Sequence, residues 1–119
     1  MAKKKTTTPD KRPSGAGVLA RRYPRVWESY ESLGESTTQA GPLDEKTSRL
    51  VKIALAAGAG LEGAVHSHVR RGLREGLTVE EIRHIALLAV PTMGLPSAVR
   101  AMTWMDDVLE GKSRGKRSR

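Results

Sequence analysis

Two glycine-marked stops, Gly58-Ala59-Gly60 and Gly76, bracket the run LEGAVHSHVRRGLREG over residues 61–76. Glycine weakens a helix interior but suits the left-handed residue that ends one, so this punctuation cuts the chain into helices joined by short turns. A turn that short lays the flanking helices antiparallel. The middle of the chain is therefore constrained to a helical hairpin, in which side chains act together only at a spacing of three or four. On that spacing Leu61, Ala64, Val65 and His68 share one face, while Glu62, His66 and Arg70 form a second stripe suited to a solvated row of acid, imidazole and guanidinium. His66 and His68 diverge. A His-x-His metal pair needs a strand, where alternate residues share a face, so no metal ligands are expected.

The remaining segments read as helices too. Tyr23-Pro24 opens one, because the residue before proline is pushed out of the helical basin and proline suits a first helical position. Val26, Trp27, Tyr30 and Leu33 then recur at helical spacing, with Gly34 as the expected stop and 35–42 as a polar loop. Asp44 and Glu45 place negative charge at a helix start, and Leu50, Val51, Ile53, Ala54, Leu55 and Ala57 supply its apolar face, ending by Gly58 to Gly60. Thr78 followed by Glu81 is a capping box, with Leu77 and Ile82 as the matching staple. The run from Ile85 to Val90 is apolar nearly all round, which predicts burial beyond what one small domain provides and so a subunit interface. Pro91 is expected to kink or end that helix, and Pro96 opens a last one through Ala98, Val99, Met102, Met105 and Leu109. Trp104 reads as a core or interface residue. Gly58-Ala59-Gly60 lacks the lysine and the preceding strand of a phosphate-binding loop.

A chain of 119 residues with no Phe and no Cys must build its core from Ala, Leu, Val, Ile and Met, which implies closely packed helices. The missing cysteine excludes disulfides, thiolate ligands and thiol catalysis by this chain. Net charge is +8, yet it is concentrated at the ends: residues 1–25 carry eight Lys or Arg against one Asp, and residues 111–119 carry five against none. Residues 1–22 therefore read as a disordered basic tail, 23–110 as one helical domain and 111–119 as a second basic tail. No apolar run suits a signal peptide or approaches the roughly 20 residues needed to span a bilayer, so a cytoplasmic protein without membrane association is expected.

The stretches LDEKTSRLVKIALAAGAG, HVRRGLREGLTVEEIRHIALLAV and GLPSAVRAM, in that order between Leu43 and Leu109, resemble the carboxymuconolactone decarboxylase and alkylhydroperoxidase D-like family. YPRVWESYESLG, residues 23–34, looks like the lead-in helix of its small members. The resemblance implies an all-α fold of about five helices around a helical hairpin, assembled as a homotrimer or homohexamer. The family's peroxidase branch uses a Glu, a Cys-x-x-Cys pair and a His; at the matching positions stand Arg49, Leu61 with Ala64, and His68. Only the histidine survives, so inherited thiol peroxidase chemistry is not expected. The decarboxylase branch resembles Glu-x-x-x-His-x-Arg, and here Ala64 replaces the acid while His68 and Arg70 match.

These readings make His68 the expected acid/base residue, acting on a small carboxylate or lactone in a lyase-like or isomerase-like reaction without a cofactor. Arg49 or Arg70 would hold the acid group, with Leu61 and Ala64 lining the site. The bland alternative makes His68 a hydrogen-bonded core residue. A reading of a different class is a non-enzymatic oligomeric scaffold whose basic tails bind nucleic acid or an acidic partner.

Overall fold

A computed structural model describes residues 15–111. Its elements are α1 Gly15–Arg22, α2 Pro24–Gln39, α3 Glu45–Gly58, α4 Glu62–Arg74, α5 Val79–Met93 and α6 Leu95–Leu109, with no strand among the described residues. The outermost parts of the two basic tails, 1–14 and 112–119, lie outside the described residues. Among the described residues no helix is long and apolar enough to cross a membrane.

The helices fall into two units divided between Pro42 and Leu43. Residues 15–22, expected within the disordered basic tail, form a helix, α1, which packs on α2. Arg21 and Arg22 stand in its last turn, where cations complement the carbonyl end of a helix, and the Tyr23 N–H donates to Leu19 O at 2.8 Å. Helix α2 runs past the expected stop at Gly34. An interior glycine costs a helix only about 1 kcal/mol, and the Thr37 and Thr38 hydroxyls donate back to Gly34 O at 3.0 and 2.9 Å. The chain leaves the helix at Ala40, ahead of Gly41-Pro42.

In the second unit α3 packs along α4, α5 along α6, and α4 and α3 lie against α6 and α5 respectively. The Asp44 side chain caps α3 by accepting from the Thr47 N–H at 2.8 Å, a bond that holds its carboxyl below the usual range. Helices α3 and α4 end in the same motif. The Leu61 N–H donates to Ala56 O and the Gly60 N–H to Ala57 O; at the other turn the Leu77 N–H donates to Gly72 O and the Gly76 N–H to Leu73 O. Each is a Schellman stop with glycine at positive φ, 73° at Gly60 and 100° at Gly76. The capping box of α5 is present with both bonds, at 3.0 and 2.9 Å. Pro91 neither ends nor interrupts α5, because it stands in the last turn, where it removes a single backbone bond; Gly94, at φ 96°, makes the stop.

The core is small-residued, as the composition requires. Ile53, Val65, Val69, Ile82 and Met105 are fully buried, and Ala56, Ala57, Ala86 and Ala101 let the helices approach closely around them. Trp104 packs partly buried against this cluster.

Candidate functional site

The hairpin's two arms bring Arg49 of α3 against His68 of α4. Arg49 Nη1 lies 2.7 Å from His68 Nδ1, while its Nε and Nη2 donate to the two oxygens of Glu75 at 2.9 and 3.0 Å. Glu75 is the C-cap residue of α4, so the bidentate pair ties the end of one helix to the first turns of the other. Close approach makes this geometry. A Cβ on Gly72 would stand 2.7 Å from Leu77 Cδ1 and 3.3 Å from Arg49 Cγ, so any larger residue would make the Leu77 side chain and the arginine stem shift.

The proton on His68 follows from its partner. A guanidinium has donors and no acceptor, so Nδ1 receives the Arg49 hydrogen bond and the proton of the neutral ring sits on Nε2. Burial lowers the pKa of His68 from 6.5 to about 4, assisted by the charges of Arg49, Arg71 and Lys52 and opposed by Glu75. Lys52 is depressed as well, first by burial and then by Arg49 and Arg71. Near neutral pH the site thus presents an uncharged imidazole N–H amid three cations and the Glu75 carboxylate that pairs with one of them, a set of net positive charge. Such a set attracts anions and donates to a developing oxyanion. It does not act as a base at Nδ1, whose lone pair is taken.

Helix geometry separates the residues expected here. Arg49 and His68 meet, whereas Arg70 stands two positions from His68 on the stripe of Glu62 and His66. Leu61 is exposed at the start of α4, and Ala64 packs partly buried against the core. Lys52, Arg71 and Glu75 were not singled out from sequence. Their spacing was informative: Lys52 follows Arg49 by three, and Arg71 and Glu75 follow His68 by three and seven.

The second stripe is not the solvated row its sequence suggests. His66 is half-buried, and its Nε2 lies 2.9 Å from Asp107 Oδ2 of α6 and 4.0 Å from Glu62 Oε2. Glu62, His66 and Asp107 each offer a ligand atom within 4.8 Å of the others.

A profile of the carboxymuconolactone decarboxylase family matches residues 24–107. An uncharacterised protein of Methanocaldococcus jannaschii is 28% identical over 89 residues, covering 74% of this chain and 86% of the relative. A second uncharacterised protein of that organism is 29% identical over 85 residues, covering 71% and 79%. A crystal structure of a carboxymuconolactone decarboxylase family protein from Legionella pneumophila superposes with a TM-score of 0.64 at 24% identity, covering 79% of this chain and 83% of that one. That likeness bears on the fold.

Proposed function

The chain belongs to the carboxymuconolactone decarboxylase family, and from that premise we propose that it binds and transforms a small carboxylate or lactone at the Arg49–His68 face, without thiol chemistry. The observation that carries this reading is the 2.7 Å approach of Arg49 Nη1 to His68 Nδ1. It leaves Nε2–H as the free donor of a neutral histidine. The acid/base role expected from sequence becomes an electrophilic one: His68 donates to the carbonyl or enolate oxygen, and Arg49, Lys52 and Arg71 favour the anionic group of the ligand. With Cys absent, thiol-based reduction of a peroxide has no thiolate to start from.

The test is a panel of small lactones and unsaturated dicarboxylates, scored by binding and turnover against His68→Gln and Lys52→Gln. The reading expects an anionic ligand whose affinity falls in Lys52→Gln and whose turnover falls in His68→Gln. Turnover untouched by His68→Gln would remove this residue from the reaction.

Self-association is part of the same proposal. Leu87 and Leu88 of α5 are 57% and 58% exposed and Leu95 and Val99 of α6 are 61% and 54% exposed, an apolar surface that supports packing against further copies as a homotrimer or homohexamer. Light scattering checks it: Leu88→Lys should lower the mass of the particle, and a wild-type mass of 12.9 kDa would contradict the proposal.

A further inference from the structure

We propose that Glu62, His66 and Asp107 form a binding site for a borderline divalent transition-metal ion, of the Zn(II) class, that clips α4 to α6. Two helices build it. Glu62 and His66 stand one turn apart on α4, the spacing that lets two helical ligands converge on one ion, and Asp107 reaches in from α6.

The framework behind these side chains is rigid. Val65, next to His66, and Met105, two residues before Asp107, are fully buried in the common core, so packing rather than side-chain choice sets the separation of the two helices. Metal–ligand bonds of about 2.1 Å put neighbouring ligand atoms about 3.0–3.4 Å apart in tetrahedral or octahedral arrangements. His66 Nε2 and Asp107 Oδ2, at 2.9 Å, are close to that edge; Glu62 Oε2, 4.0 Å from the imidazole nitrogen and within 4.8 Å of the Asp107 ligand atom, has to close by about 1 Å or more to complete the set. Its side chain is 57% exposed and free to do so.

A hydrogen bond between His66 and Asp107 would by itself explain an interhelical tie. It does not explain why a second carboxylate, from a residue one turn away, converges on the same imidazole nitrogen. The neighbouring acids of α6 behave differently: Asp106 and Glu110 both pair with Arg83 of α5, at 2.9 and 3.3 Å. The donor set selects the metal class. One imidazole with two carboxylates suits Zn(II), Co(II) or Mn(II) better than the all-oxygen surroundings that Mg(II) and Ca(II) prefer. The site shares no residue with the Arg49–His68 face, so it stands or falls separately from the function proposed there.

The experiment is calorimetric titration of the full-length, tag-free protein with ZnCl2, and with CoCl2 as a spectroscopic probe, followed by thermal unfolding with each ion and with MgCl2. The expected result is one Zn(II) per chain, a midpoint raised by several degrees with Zn(II) and unmoved by Mg(II), and visible Co(II) absorption of low-symmetry coordination. Glu62→Gln, at a side chain that is 57% exposed, should weaken Zn(II) binding at least about tenfold. His66→Gln should abolish it, and His68→Gln should leave it unchanged. Zn(II) binding that is unchanged in Glu62→Gln and His66→Gln, or no saturable binding by the wild type, would overturn the proposal.

Discussion

His66 and His68 are two residues apart on one helix and live in opposite chemical surroundings. His68 faces α3, where Arg49 hydrogen-bonds it and Lys52 and Arg71 add positive charge. His66 faces α6, where Asp107 bonds it and Glu62 approaches from the turn before. A step of two on an α-helix is a rotation of about 200°, so the backbone needs no irregularity to divide a pair of adjacent imidazoles between a cationic and an anionic face. The same residue type is thereby given two chemistries. One face carries net positive charge and disfavours a second proton on its imidazole; the other sets two carboxylates about its imidazole.

The division can be broken most severely at Gly72. Gly72→Val puts new methyl groups where Leu77 and the Arg49 stem now pass, so unfolding in urea should show a loss of about 1–3 kcal/mol. Arg49 should also leave His68. A smaller effect is expected from Arg49→Met, which keeps the stem but removes the bonds to Glu75 and His68. The loss should be about 1–2 kcal/mol, at the low end of the range for charged hydrogen bonds because Glu75 is partly solvated, and affinity for anionic ligands should fall with it. Unchanged stability and ligand affinity would dissolve the cationic face.

Acid sharpens the contrast further. The folded state holds the His68 pKa near 4, below the 6.5 of an unperturbed ring, so the unfolded chain binds the proton more readily. The stability this contributes is complete above pH 6.5 and is lost as pH falls from there toward 4. Wild-type melting temperature should therefore drop more over that interval than that of His68→Gln; parallel curves would mean that the ring titrates normally. Asp107→Asn, which weakens the other face alone, should cost about 1 kcal/mol or less and leave the acid response of His68 in place.

Much of the second unit was legible because its signals are local. The Schellman glycines, the Asp44 cap and the Thr78–Glu81 box each act within six residues, and they mark the ends of α3 and α4 and the start of α5. At Gly34 and Pro91 a single residue carries too much weight in the expectation. Gly34 and Pro91 break helices only where their neighbours offer an alternative path, and Gly41-Pro42 and Gly94 offer it instead. Arg49 and His68 were recognisable from the family resemblance, yet which nitrogen of the ring carries the proton depends on a bond between residues 19 positions apart. The partnership of His66 with Asp107 spans 41 positions, and helical spacing carries no information at that range.

The account rests on His68 being a neutral donor whose Nδ1 is occupied by Arg49. Long-range nitrogen–proton NMR of the protein labelled at histidine nitrogen reads this directly. The prediction is a proton on Nε2 of His68 at neutral pH, with a titration midpoint near 4. A proton on Nδ1, or a midpoint near 6.5, would contradict it.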